Sequence, residues 1–398
     1  MPKKVAIIIE RANIMLGGAE RSAFELSQAL TAKGFDVQLL AATGQANSDA
    51  IHVLSKDKHA NRVCLSAFED SLKAHFTRNS YDIIHSFLPL TFADIYQPRG
   101  GSYAEAVLRN AASYQSNFMK TYKRITSFAN FRRTRLLCAE KEMCKKTDGP
   151  VIVALSEYVA EQFQRHYNIR QKRITIIPNG VRTDKPVSTK DAQQLRSQIL
   201  AKLNLKEADQ PALFLFVANN FRLKGLRPLI KAFASVWQTR TSRRPYLVVA
   251  GHDKSYKFRH LAKKIGIDKK IVFLGPIRHI QNALSVTDVA VLPTFYDPAS
   301  RFILEALAAD KPVITTRFNG AADLFVNDRH GKIIDTPENI IALTQALRYF
   351  TETKNIQQTA QNIIDDNIKE KVSIDRAAEQ VTSLYEQLFK ERSPKCEM

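Results

Sequence analysis

The strongest constraint on this chain is a repeated alternation of short apolar, β-branched runs with helical stretches. Residues 4–10 read as a strand, the loop RANIMLGGAERS leads into a helix to about Lys33, Gly34 stands where a left-handed helix C-cap belongs, and residues 35–41 form a second strand. A strand–helix–strand start predicts a parallel, doubly wound sheet. Residues 81–87 (YDIIHSF), 151–155 and 174–177 extend it. After a polar stretch over 181–210, the alternation restarts: strand 212–218, helix 225–238, strand 246–250, helix 257–265, strand 271–274. A chain of 398 residues exceeds one core of ordinary size, so the expectation is α/β with two open domains. They span 1–182 and 183–372, and a last helix within 373–398 crosses back to the first.

Composition bounds the function. No apolar run approaches the roughly 20 residues needed to span a bilayer. The start MPKKVAIIIE suits a first strand better than a signal peptide, because its apolar run is short and ends at Glu10. Cys64, Cys138, Cys144 and Cys396 lack close metal spacing and suggest reduced thiols in a cytoplasmic protein. The net charge of +20 implies a polyanionic partner: nucleic acid, an acidic membrane surface or a phosphorylated substrate.

Residues 287–316 read as strand, loop, helix, strand. Asp297 lies in the loop and Glu305 follows eight residues later in the helix. The helix start between them offers unpaired N–H groups and a positive dipole end, the local answer to a phosphate. This is either an anion cradle flanked by two acceptors of sugar hydroxyl groups, or an ordinary turn with a loop cap and a solvated acid. Arg222 and Lys224, in NNFRLKG, follow a strand and open a helix. They read as cations for a departing diphosphate or as solvated helix-start charges; Lys at a helix start opposes the dipole, which favours function. Gly251 (VVAGHDK) and Pro276 (FLGP) mark tight strand exits whose backbone can read a base edge. The chain contains no Asp-x-Asp and no His cluster with ligand spacing, so no metal site is expected.

In the first half, Gly17-Gly18 stands directly before a helix, where a bound group can approach the backbone or where the chain merely turns. His85 near a strand's carboxyl end is a core residue or an acceptor-side group; Asp94 and the loop Arg99, Gly100, Gly101 are further acceptor-side candidates. Residues 109–146 carry ten Lys and Arg against Glu140 and Glu142, interleaved with Phe118, Met119, Tyr122, Ile125, Phe128 and Phe131. Arg124, Arg132, Arg133 and Arg135 then read as contacts of an interfacial helix with an anionic membrane, or as a solvated outer face.

GGAERS, DIIHSF, IPNGV, FRLKG, AGHDK, FLGP and DPASRFILE followed by ALAADKPVITT, in that order over nearly the whole chain, resemble glycosyltransferase family 4 of the GT-B architecture. ADIYQPRGGSYAEAV, the basic aromatic segment, RHYNI…RITIIPNGV and AGHDKSYKFRHLAKKIGI are most similar to its lipopolysaccharide core glucosyltransferase I group. The resemblance implies two Rossmann-like open α/β domains facing a central cleft, the first (1–182) binding the acceptor and the second (183–372) the nucleotide-sugar. It implies Asp297 on donor-sugar hydroxyls, Glu305 on the ribose, and amides at Arg301 and Phe302 after Ser300 on the diphosphate, beside Arg222 and Lys224. Gly17 and Gly18 would lie under the phosphates. The implied reaction is metal-independent, retaining transfer of a hexose such as glucose from a UDP-sugar. No cofactor other than the nucleotide-sugar is implied. The chain departs from the pattern at Asp297 (usually Glu), at Ser300 (usually Gly), at Arg222 (one residue early) and at Gly100, where the nearest group has an acid.

The first hypothesis is therefore a cytoplasmic enzyme, peripheral on the inner face of the membrane, acting on a lipid-linked phosphorylated acceptor such as lipopolysaccharide inner core. The second keeps the donor chemistry with another polysaccharide or lipid acceptor. The third, a non-catalytic basic nucleic-acid-binding protein, ranks below both because no recognised nucleic-acid motif occurs.

Overall fold

The computed structural model describes residues 2–13, 17–46, 48–54 and 64–392; Cys396 and the side chain of Phe128 lie outside that description. The chain divides into two units: one holds residues 1–107, 121–180 and 374–398, the other residues 108–120 and 181–373. In the first unit seven strands, β1 (Lys4–Ala12), β2 (Asp36–Gly44), β3 (Ile51–Val53), β4 (Ile83–Ser86), β5 (Ile95–Tyr96), β6 (Val151–Ala154) and β7 (Ile174–Ile176), form a parallel sheet ordered β3-β2-β1-β4-β5-β6-β7. In the second, β8 (Ala212–Val217), β9 (Pro245–Ala250), β10 (Ile271–Gly275), β11 (Val289–Leu292), β12 (Val313–Thr316) and β13 (Gly331–Ile334) form a parallel sheet ordered β10-β9-β8-β11-β12-β13.

Strand periodicity explains why β1 is apolar at every central position. Its residues Val5, Ile7 and Ile9 face a cluster with Ala23, Leu26 and Leu30 of the helix Gly18–Ala32 and with Ile374, Ala378 and Val381 of the C-terminal helix Ile374–Arg392. Its alternate residues Ala6 and Ile8 face Phe68 and Leu72 of the helix Leu65–Phe76 on the other side. Both faces are covered, so both are apolar. In the second unit one cluster joins β8, β9 and β11 to the helices Leu226–Trp237 and Arg301–Ala308. Among the described cysteines Cys64 and Cys138 are exposed free thiols and Cys144 is a buried one.

The basic segment is not one amphipathic helix. It breaks into Tyr103–Ala112, Asn117–Thr126 and Phe131–Lys145. Asn130 ends the break by accepting a hydrogen bond from the Arg133 amide at 3.1 Å, an N-cap. The last of these helices buries Leu136, Glu140, Met143 and Cys144, so its second half belongs to the core.

Glu140 is the cost of that arrangement. Its fully buried carboxyl accepts from the hydroxyls of Tyr96 (2.8 Å) and Tyr167 (2.6 Å) and from the amide of Tyr103 (2.8 Å). Burial pushes its pKa up to about 7 despite those three bonds. The folded state thus holds a proton more tightly than the unfolded one, and stability falls as pH rises through the interval from about 4.5 to 7. Glu140→Gln removes this titration. Melting curves of the wild type are expected to lose stability between about pH 4.5 and 7, and those of the variant to stay flatter over the same window; equal slopes would refute the assignment.

Candidate active site

The site is assembled at the carboxyl edge of the second sheet, where strand ends of a parallel sheet expose their loops. The turn after β8 is tied internally: Asn220 Oδ1 accepts from the Leu223 amide at 3.0 Å, Asp253 Oδ2 accepts from the Phe221 amide at 2.7 Å, and the Leu226 amide donates to the Phe221 carbonyl at 2.9 Å. Gly225 closes the turn at φ +81°, and a Cβ there would lie 1.9 Å from the Pro293 carbonyl oxygen. Only glycine lets this turn lie directly on the end of β11. The Phe295 amide donates to the Leu223 carbonyl at 2.9 Å, stitching the two loops together. Lys224 is thereby delivered to the loop after β11: its Nζ donates to the Tyr296 carbonyl at 2.8 Å and to Asp297 Oδ2 at 2.7 Å.

Asp297 is held from three sides. Its amide donates to the Phe318 carbonyl at 2.9 Å, its carbonyl accepts from the Gly320 amide at 2.9 Å, and its Oδ1 accepts from the Ala299 amide at 3.3 Å. The fully buried Asn319 completes the frame: Oδ1 accepts from the Ser300 and Ala321 amides at 3.2 and 3.1 Å, and Nδ2 donates to Thr315 Oγ1 at 2.9 Å. Ser300 is the extended N-cap of the helix Arg301–Ala308 but its hydroxyl makes no cap bond. The first intrahelical bond runs from the Leu304 amide to the Ser300 carbonyl, so the turn at Phe302 presents its amides as helix starts do. Glu305, one turn in, accepts from Arg301 Nη2 at 3.3 Å, and each of these side chains is 9% exposed. Lys224, Asp297, Ser300, Arg301, Phe302 and Glu305 thus come together.

Other expected residues are placed differently. Arg222 is engaged by residues 110–114: Nη1 donates to the Asn110 carbonyl at 3.0 Å and to Ser113 Oγ, Nη2 donates to Asn110 Oδ1 at 2.8 Å, and the guanidinium stacks 4.0 Å over Tyr114. It does not join Lys224 on Asp297. Gly251 has φ +140°, and a Cβ there would lie 1.7 Å from the Ala218 carbonyl oxygen; its amide donates to the Gly275 carbonyl at 2.9 Å, directly before Pro276.

In the first unit Gly17 and Gly18 open the helix Gly18–Ala32 at the carboxyl edge of the sheet. Asp94 is a correction. It precedes β5, accepts from the Ile84 amide at 2.7 Å and pairs with Arg392, which puts it at the amino edge, away from where ligands bind such sheets. His85 is another: it is fully buried, Nδ1 meets the Tyr385 hydroxyl at 2.7 Å, and burial with the nearby Arg99 cation holds its pKa down at about 3. It is a neutral core imidazole. Arg99, Gly100 and Gly101 do reach a cavity of about 200 Å³, with Glu10, Arg11 and Glu20. Arg99 Nη1 donates to Ser22 Oγ and Asn179 Oδ1, both at 2.9 Å.

Sequence reasoning missed Asn319, whose one visible signal is an Asn-Gly pair after a strand, and it missed Asn110 and Ser113 as partners of Arg222. It also missed Glu10, Arg11 and Glu20, which look like strand and helix ends until the cavity is seen.

Two parallel-sheet Rossmann-like units, with a lysine–carboxylate pair beside a helix start at a carboxyl edge, make this an open α/β protein with a ligand site at its strand ends. Residues 16–185 match the model described as Glycosyltransferase Family 4, and residues 199–370 match Glycosyl transferases group 1. With both halves matched, the chain belongs to these glycosyltransferases and is an enzyme of that class. It is 26% identical over 336 residues to the lipopolysaccharide glucosyltransferase WaaG of Escherichia coli K12, covering 83% of this chain and 85% of that one. It is 23% identical, over 93% of this chain and 94% of the relative, to an Escherichia coli UDP-Gal:α-D-GlcNAc-diphosphoundecaprenol α-1,3-galactosyltransferase. The crystal structure of WaaG, a glycosyltransferase involved in lipopolysaccharide biosynthesis, superposes with TM-score 0.75 at 21% identity, covering 96% of this chain and 99% of the other.

Gly225→Ala tests the frame of the site. The left-handed φ and the backbone clash together are expected to lower stability by about 2 kcal/mol or more in denaturant unfolding. An unchanged midpoint would show that the turn does not rest on β11.

Proposed function

We propose that this enzyme transfers a hexose, with retention and without a metal, from a UDP-sugar to a lipid-linked phosphorylated acceptor such as lipopolysaccharide inner core. The observation that carries the reading is the Lys224–Asp297 pair at 2.7 Å beside the start of the helix that bears Glu305. The helix amides at Phe302 and the Lys224 ammonium face a diphosphate, Asp297 accepts from hydroxyls of the sugar, and Glu305 accepts from those of the ribose. The bond from the anomeric carbon to the phosphate oxygen breaks as the acceptor oxygen attacks on the same face. The acceptor proton passes to the leaving phosphate. Charge accumulates on that phosphate in the transition state, where a fixed cation and oriented amides act selectively. The WaaG and galactosyltransferase relatives support glucose or galactose on UDP and a lipid-linked acceptor.

Peripheral attachment to the cytoplasmic face of an anionic membrane is the second part of the reading. Among the described residues no helix is long and apolar enough to cross a membrane. The helix Asn117–Thr126 buries none of its residues, and Phe118, Tyr122 and Ile125 recur on one of its faces at 76%, 48% and 66% exposure. Phe131 is 69% exposed just beyond it. Lys123 and the exposed Arg124 flank these side chains, which is the pattern of an interfacial helix. The attachment therefore narrows from the whole basic segment to residues 117–131. Arg132 pairs with Glu10, and Arg135 donates to Ser66 Oγ at 3.1 Å, so these two cations are partly spent within the protein.

A thermal-shift panel of UDP-, GDP- and ADP-sugars followed by turnover on the best hit tests the donor. A UDP-sugar should stabilise most, turnover should survive chelator, Lys224→Ala should lower kcat/KM about 10²–10³-fold, the usual loss for one transition-state contact, and Glu305→Ala should weaken UDP-sugar binding and raise KM. Full activity in both variants would sink the reading. For the membrane, sedimentation with anionic vesicles should weaken with added salt and drop roughly tenfold in Phe118→Ser/Ile125→Ser. Binding indifferent to both would leave residues 117–131 as a solvated face.

A further inference from the structure

The second unit carries a groove of about 1080 Å³, lined by none of Lys224, Asp297, Ser300, Arg301, Phe302 or Glu305. Five cations line it: Arg222, Arg227, Lys231, Lys254 and Lys257. Its two carboxylates are already occupied. Asp253 accepts from the amides of Phe221 and Lys254, each at 2.7 Å, and Glu338 pairs with Lys120 at 2.9 Å. Lys231, Lys254 and Lys257 are exposed and make no ion pair among the described residues. Arg227 has the neutral Gln115 as partner, whose oxygen, with the amide turned to suit, accepts from Nε and Nη1 at 2.7 and 2.8 Å. Three lysines facing one concavity repel one another, and an anion that spans them removes that repulsion.

The groove also has aromatic surface. Tyr256 stands 78% exposed between Lys254 and Lys257, whereas Tyr114 already lies under the Arg222 guanidinium and Phe295 is buried, so Tyr256 is the open face. An isolated phosphate would use neither the volume nor this face. Ligand sites of 300–1,000 Å³ hold whole small molecules. A sugar ring laid on an aromatic face, with phosphate groups reaching the lysines and Arg227, uses both.

We propose that this groove binds a saccharide bearing more than one phosphate, as the phosphorylated portion of the acceptor. The ligand's place as acceptor rests on the function proposed above; the charge and size of the groove do not. The groove shares Arg222 with the turn that positions Lys224, so an occupant there lies against the turn that carries the donor-site lysine.

The test compares the wild type with Lys231→Glu/Lys254→Glu/Lys257→Glu, three exposed positions outside the donor site. Calorimetry measures binding of a delipidated, phosphorylated lipopolysaccharide core oligosaccharide and of the same oligosaccharide after phosphatase treatment. Sedimentation with anionic phospholipid vesicles runs alongside, and the thermal shift with UDP reports the fold and the donor site. The wild type should bind the phosphorylated form at least tenfold more tightly than the dephosphorylated one. The triple variant should lose at least tenfold for the phosphorylated form, with its UDP shift unchanged. Equal affinity for the two oligosaccharides overturns the proposal. So does a variant that keeps oligosaccharide affinity and loses only vesicle binding, which would make the groove a contact for lipid headgroups. If neither protein responds to UDP while the oligosaccharide difference stands, the donor reading fails and the groove assignment survives.

Discussion

The ion pair between Lys224 and Asp297 is the contact on which the rest of the site depends. Each partner belongs to a different loop, and neither loop would present it without the other. Lys224 arrives because Gly225 lets the turn after β8 settle on the end of β11. Asp297 stays because Asn319 and Phe318, after β12, hold its backbone and the start of the following helix. Three adjacent strands, β8, β11 and β12, therefore set one cation, one carboxylate and one helix start in fixed relation. The pair is 20% and 15% exposed, where a lost partner leaves a charge incompletely solvated. Under the proposed function, a donor would compete with, or complete, an arrangement that already balances its own charge.

Much of this was legible in the sequence because it follows from local rules. Buried runs alternating with helices specify parallel sheets, and the strands at 4–10, 212–218 and 246–250 fall close to β1, β8 and β9. The Asp297–Glu305 spacing with a cap between them placed a helix start correctly to within a residue. What local rules could not supply were partners distant in sequence. Arg222 read as a cation for a departing diphosphate or as a solvated helix-start charge, yet Asn110 and Tyr114, more than a hundred residues earlier, engage its guanidinium. Asp94 read as acceptor-side because it lies near Arg99 in sequence, but a two-residue strand separates the opposite edges of the sheet. His85 has the right edge and the wrong depth, since Tyr385 of the last helix covers it.

The basic segment shows the same limit from another side. Its composition announced charge and aromatic faces, and both are present. Asn130 breaks it, however, and the helix after the break sinks Leu136, Glu140 and Met143 into the first unit. The exposed apolar face is left to the short helix Asn117–Thr126. Of the +20 net charge, part therefore lies beside that helix and part lines the groove at Lys231, Lys254 and Lys257. One concentration lies beside exposed apolar side chains, the other in a concavity whose wall includes Met119 of the same helix.

The central claim is that Lys224 and Asp297 act as one unit in holding the donor. A double-mutant cycle with Lys224→Ala, Asp297→Asn and the double variant, read by calorimetric affinity for the UDP-sugar, addresses it most directly. The double variant is expected to lose less than the sum of the two single losses, with a coupling of about 0.5–3 kcal/mol. Losses that add within about 0.3 kcal/mol would contradict this claim and make the two side chains independent.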